Sequence, residues 1–176
     1  AVLAAVPGSA EKMGDAEAWW IERRIVARRS LGVDDPMSAR KAAYQIAANH
    51  GFADGDEAVE AEFLAGWIAL RSLNDPATAL KHFKRLAVIA PSRTEKARAG
   101  YWMGRAYEAM GDKGDAKAAY KEASAYSTIY YGQLARAKLG LPQLALHGQP
   151  RSRGGERLEV VRAVELLYAI DERDLA

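Results

Sequence analysis

Three histidines, His50, His82 and His147, are the first residues to weigh as chemistry. Histidine moves protons near neutral pH and binds transition metals, but either role needs partners at suitable spacing. None of the three has an acidic or cysteine companion at ligand spacing along the sequence, so no metal site is expected. Asp54-Gly55-Asp56 opens like a calcium loop. The sixth position of such a loop must be glycine, and here it is Val59, so helix capping is the expected role. Glu60, Glu62, Glu95 and Glu108 lie on amphipathic helical stretches and are expected to face solvent, where no neighbour tunes them for acid catalysis. The chain has no Gly-x-Ser-x-Gly elbow, no Gly-Lys-Ser/Thr phosphate loop and no glycine-rich dinucleotide turn. The expectation is no catalytic residue, no metal and no cofactor.

Aromatics are the richer signal. Trp19, Trp20, Trp67, Tyr101, Trp102, Tyr107, Tyr120, Tyr126, Tyr130 and Tyr131 fall on or at the ends of expected helices. Packing between helices is the default role for each. A helical solenoid also exposes some rings on its concave side, where sugars or peptides can stack. Trp102 with Arg105 one turn on is the first candidate pair, because Tyr101 and Gly104 fit the buried side better. Tyr130-Tyr131-Gly132-Gln133 is the second. The candidate substrate-binding or partner-binding residues are therefore Trp102, Arg105, Tyr130, Tyr131 and Gln133.

These side chains need helices to position them. The spacing predicts a first helix over 16–31, stopped by Gly32. Asp35-Pro36 reads as a cap followed by proline at the first helical position, starting a second helix that ends near Asn49. A third is expected over 56–73. Asp75-Pro76 repeats the start signal for a fourth, in which Ala79, Phe83, Leu86, Ala87 and Ala90 form an apolar stripe. Ser92 to Glu95 fits a capping box opening a fifth helix that runs to Met110. A sixth is expected over 115–125 and a seventh over 128–139. No segment alternates with the two-residue period of a half-buried strand. The expected class is all-α.

The helices pair, and the pairs resemble one another. Gly104, Tyr107, Gly111-Asp112, Ala116, Tyr120 and Ala123 match the tetratricopeptide pattern, in which small residues let two helices approach while rings fill the gap. Gly66, Ala69, Asn74-Asp75, Ala79, Phe83 and Ala87 echo it 104−66 = 38 residues earlier, against roughly 34 for that repeat. Tetratricopeptide-like hairpins stacked into a curved superhelix are the expected architecture. Residues 1–140 form the repeat domain, 141–155 a linker or long loop, and 156–176 the start of a further helical segment. The chain reads as part of a longer protein.

Composition narrows the function. Hydrophobic residues are 49% and charged residues 27% of the 176, which suits a folded domain. Net charge is +2, from 25 Lys and Arg against 23 Asp and Glu, so no nucleic-acid partner is expected. Arg23, Arg24, Arg28 and Arg29 cluster, and are expected to form a solvated helix face. No apolar run approaches the ~20 residues of a membrane span. Cysteine is absent, so no disulfide can form.

Several segments resemble the superhelical region of soluble lytic murein transglycosylases. They are His50-Gly51, the run Glu62 to Arg71, Ala79 with His82-Phe83, and Arg98-Ala99 followed by Tyr101-Trp102-Met103-Gly104-Arg105-Ala106. Tyr130-Tyr131-Gly132-Gln133-Leu134-Ala135 and the stretch Trp19 to Arg29 extend the likeness over residues 19–140. The resemblance implies periplasmic work on peptidoglycan, by enzymes that cleave the glycan strand and leave a 1,6-anhydro end. Their catalytic glutamate lies in a Glu-Ser motif of a lysozyme-like domain, and no Glu-Ser dipeptide occurs here. The resemblance therefore implies a non-catalytic scaffold that guides glycan strands, or that contacts a lysozyme-like domain of the same parent chain. A generic tetratricopeptide adaptor for protein partners is the alternative.

Overall fold

The computed structural model describes residues 12, 14–32, 36–142 and 159–169. The described residues form helices and no strand. The chain divides into two compact units, Ala1–Gln143 and Leu144–Ala176. The first unit holds α1 (Ala16–Arg29), α2 (Met37–Ala48), α3 (Gly55–Arg71), α4 (Pro76–Ile89), α5 (Arg93–Met110), α6 (Lys113–Ser124) and α7 (Tyr130–Lys138). The second holds α8 (Glu159–Ala169), within the segment expected to resume helical spacing. Most of the expected linker, residues 143–155, lies outside the described residues, as does His147.

Local signals explain most helix ends. Asp15, Asp75 and Asp112 each accept a hydrogen bond from the backbone N–H three residues on, at 3.0 Å. Each satisfies one of the free donors at a helix start. Pro76 sits in the first turn of α4 as expected. Ser92 accepts from the Thr94 N–H at 3.1 Å, and its hydroxyl donates to the Glu95 carboxylate, so the two expected capping-box residues do meet. Gly111 ends α5 in the left-handed region at φ 81°, while Asn74 does the same work between α3 and α4 at φ 54°.

Several boundaries differ from expectation by one or two residues, among them the end of α3 at Arg71 in place of residue 73. The first helix ends at Arg29 with Ser30 as its cap, before Gly32. Pro36 is itself the cap of α2, which begins at Met37; Asp35 lies outside the described residues. The sixth helix begins at Lys113 because Asp112 caps it two residues earlier than expected. The seventh begins at Tyr130, since a backbone bond from the Ile129 N–H to the Tyr126 carbonyl holds the preceding residues in a turn.

Small-to-ring contacts close the hairpins. A Cβ on Gly104 would lie 2.5 Å from the Tyr120 ring, and one on Gly66 would lie 2.6 Å from the Phe83 ring. The spacings are 120−104 = 16 and 83−66 = 17, so the same contact recurs with one extra residue in the earlier turn. Ala27 and Tyr44 repeat the 17-residue spacing in α1 and α2, and both belong to one apolar cluster. Trp20 in the same cluster meets Phe52 edge-on, with ring centroids 6.3 Å apart. Packing in the first unit follows the chain: each of α1 to α6 lies against the next helix, and α5 also touches α7. The architecture is a stack of tetratricopeptide-like helical hairpins.

Candidate partner-binding face and the Glu62 cluster

In each hairpin the first helix also reaches the first helix of the neighbouring pair, and these contacts define one face. Between α1 and α3, Arg24 lies 2.6 Å from Glu60, and the Trp20 indole N–H donates to the same carboxylate at 3.1 Å. Between α3 and α5, Phe63 meets Trp102 edge-on at 6.0 Å. Between α5 and α7, the rings of Tyr101 and Tyr131 lie 5.7 Å apart. Tyr101 also touches Trp102 at 5.7 Å, and Tyr131 touches Tyr130 at 5.2 Å. Five rings thus run in unbroken contact from α3 to α7. Guanidinium groups lie over two of them: Arg98 is 4.5 Å from the Phe63 centroid and Arg105 is 5.9 Å from that of Trp102. Both separations are within cation–π reach.

The structure brings four of the five candidate residues together. Arg105 stacks on Trp102 as expected, donates to the Tyr101 hydroxyl at 3.3 Å, and lies 3.4 Å from Glu108. The hydrogen bond to Tyr101 raises its pKa. Tyr101 and Gly104 are buried, which matches their assignment to the packed side. Trp102 is half-buried and shares its ring with Phe63 and Phe83, so it is as much core as platform. Its indole N–H is buried with no hydrogen-bond partner among the described residues. Tyr131 is half-buried, while Tyr130 is 66% exposed and available for stacking. Gln133 is exposed on the same helix and makes no side-chain hydrogen bond among the described residues.

A groove of ≈ 360 Å³ lies between α1 and α3, lined by Arg28, Leu31, Phe63, Leu64 and Trp67. The sequence reading did not single it out. Phe63 and Trp67 are four residues apart and so share a helix face, as do Arg24 and Arg28, but which faces meet is a tertiary fact. The expected solvated face of arginines is corrected at Arg23, which is 1% exposed. Its Nε donates to the Ile46 carbonyl at 3.0 Å, its other two nitrogens have no hydrogen bond among the described residues, and burial lowers its pKa.

The larger correction concerns Glu62. It is 4% exposed, not solvent-facing, and His50 and His82 both point at it. His82 Nδ1 lies 2.6 Å from one oxygen; His50 Nε2 and Arg85 Nε lie 3.2 and 2.8 Å from the other. The Phe52 N–H donates to His50 Nδ1 at 3.1 Å, which places the other ring hydrogen on Nε2, facing the carboxylate. Tyr44 joins its hydroxyl to His82 Nε2 at 2.9 Å. Burial alone would push the Glu62 carboxyl up, but the hydrogen bonds of the two histidines outweigh it and bring its pKa down to about 2. Tyr44 is moved the other way, upward, by burial and by the carboxylates of Asp75 and Glu62.

This cluster links α2, the turn after it, α3 and α4. It orders the first two hairpins against each other, and its groups are occupied with one another. The sequence did carry one sign of it: Glu62 is the lone charge among Ala58, Val59, Ala61, Leu64, Ala65 and Gly66, all buried on α3. The histidines were invisible as companions because they lie 62−50 = 12 and 82−62 = 20 residues away. Of the other expected solvent carboxylates, Glu108 is exposed while pairing with Lys138 at 2.9 Å, and Glu60 is half-buried, held by Trp20 and Arg24. Among the described residues, no group of three or more His, Cys, Asp or Glu side chains is placed to hold a metal ion.

The tetratricopeptide-repeat family model matches residues 98–126, the α5–α6 hairpin and the turn after it. No curated protein and no solved structure matches the chain. The match falls on the hairpin closed by Gly104 and Tyr120, and the same contact recurs one pair earlier. The first unit is thus a tetratricopeptide-like helical-repeat scaffold, a class whose repeats generally mediate protein interactions. No described helix is long and apolar enough to cross a membrane.

Proposed function

We propose that this chain is a scaffold that binds a partner along the face formed by α1, α3, α5 and α7. The observation that carries this reading is the unbroken run of rings from Phe63 to Tyr130 with Arg98 and Arg105 stacked on it. Half-buried rings held by their neighbours supply rigid contact area at little entropic cost, and arginine beside aromatics is enriched where binding energy concentrates. A Tyr130→Ala, Arg105→Ala double variant should lose the partner captured by the wild-type chain. Val88→Ala, on α4 and 85% exposed, should retain it. Equal loss in both variants would contradict the proposal.

A narrower reading gives the parent protein as a soluble lytic murein transglycosylase of the periplasm, with a glycan strand or the lysozyme-like domain as partner. Its support is the sequence likeness, carried by two segments that lie side by side. The rings of the Tyr-Trp-x-Gly-Arg-Ala and Tyr-Tyr-Gly-Gln-Leu-Ala segments, about 30 residues apart, meet as one chain of contacts through Tyr101 and Tyr131. On this reading the isolated chain binds sacculi at low salt and releases no 1,6-anhydro product from peptidoglycan. Failure to bind sacculi would remove the glycan role and leave protein binding.

A further inference from the structure

We infer that the groove between α1 and α3 receives an apolar or aromatic side chain from an acidic peptide segment of a partner protein, whose carboxylates pair with Arg28 and Arg98. The inference rests on the partner-binding reading and adds the chemistry of the partner.

Charge on this face is unevenly compensated. Arg24 is paired with Glu60, and Arg105 and Lys138 share Glu108. Arg28 and Arg98 have no carboxylate within ion-pair distance among the described residues. Arg28 is exposed and lines the groove; Arg98 is half-buried, lies over the Phe63 ring that lines the same groove, and has a buried Nε without a hydrogen-bond partner among the described residues. Arg28, beyond salt-bridge distance of Glu60 though within its field, thus lines an apolar floor of Phe63, Leu64 and Trp67, and Arg98 lies over the Phe63 ring.

A volume of ≈ 360 Å³ suits one or two side chains rather than a folded domain. A purely apolar occupant would cover the guanidinium groups without returning the hydrogen bonds they lose to water. A basic occupant would meet like charge. A carboxylate beside the inserted side chain satisfies the fork of an arginine with two parallel hydrogen bonds. Acidic residues next to a Phe, Trp, Leu or Ile side chain meet both demands.

The test pans the full chain against a random peptide library displayed on phage, then measures the selected peptides by fluorescence polarisation. Selected peptides should carry Asp or Glu within two positions of a large apolar residue. Arg28→Glu should weaken them at least tenfold, Val88→Glu should leave them within twofold, and added salt should weaken them in the wild type. Thermal melting of both variants shows whether each is folded. Peptides without acidic residues that still lose binding in Tyr130→Ala, Arg105→Ala overturn this inference and leave the partner-binding face intact. No selection together with no binding of sacculi, or selection insensitive to that face, overturns both. Binding of purified sacculi that Arg28→Glu abolishes, with no peptide selected, overturns the peptide in favour of an anionic glycan.

Discussion

The α3–α4 and α5–α6 hairpins close in the same way and are anchored in different ways. Each brings a glycine against a ring, Gly66 with Phe83 and Gly104 with Tyr120. Around α3 and α4 the second anchor is a buried carboxylate, Glu62, gripped by His50, His82 and Arg85. Around α5 and α6 it is a half-exposed set: Glu108 with Arg105 and Lys138, beside the tilted ring pair of Tyr101 and Tyr120. The family match falls on the second hairpin, whose features are local glycine, alanine and ring positions. A one-residue longer turn and a charge in the apolar stripe set the first apart. The repeat is thus one steric solution carrying two electrostatic ones.

That comparison can be broken at the carboxylates. Removing one partner of a buried ionic group costs roughly 3–5 kcal/mol, whereas an exposed pair contributes roughly 0–1 kcal/mol. Glu62→Ala should therefore lower stability by about 3 kcal/mol, at the low end because Arg85 can turn to water, and Glu108→Ala by less than about 1 kcal/mol. Denaturant titration of both variants checks this, and equal losses would erase the distinction. The shared steric contact predicts the next effect. Gly66→Leu and Gly104→Leu should each cost about 1–3 kcal/mol or more by overpacking. An unchanged melting temperature for Gly104→Leu would mean that the repeat register is wrong.

Acid should sharpen the contrast. The Glu62 carboxyl falls from its ordinary value of 4.5 to about 2 in the folded chain. Its contribution to stability is then fully present above 4.5 and lost as pH falls towards 2. The stability gap between the wild type and Glu62→Gln should shrink as pH falls from 4.5 to 2. A gap constant across that window would rule out an ionised, tightly held Glu62. A smaller effect than at Glu62 is expected at Ser92, exposed at the start of α5, where Ser92→Ala should cost about 1 kcal/mol by chemical denaturation.

Legibility in the sequence follows the range of the interaction. Caps at Asp75 and Ser92, the left-handed stop at Gly111 and the close approaches at Gly66 and Gly104 depend on residues within one hairpin, and the expected pattern matches them. Trp102 and Arg105, three residues apart on one helix, were readable as a pair for the same reason. The joining of Tyr131 to Tyr101 was not, because it depends on how α7 crosses α5. Neither was the burial of Arg23 beneath the end of α2, nor the meeting of His50 and His82 at Glu62. A charge centred in an apolar stripe says that compensation exists; only the packing of α2, α3 and α4 says what supplies it.

The central claim is that a partner lies along α1, α3, α5 and α7 and not along the second helices of the pairs. Photocrosslinking from Tyr130 and from Val88, each replaced singly by benzoylphenylalanine in the full chain, tests it most directly. Both sites are open to solvent, at 66% and 85% exposure, so access alone does not separate them. The account predicts a discrete crosslinked partner from position 130 and none from position 88. Crosslinking from 88 in place of 130, or to the same extent from both, would contradict it.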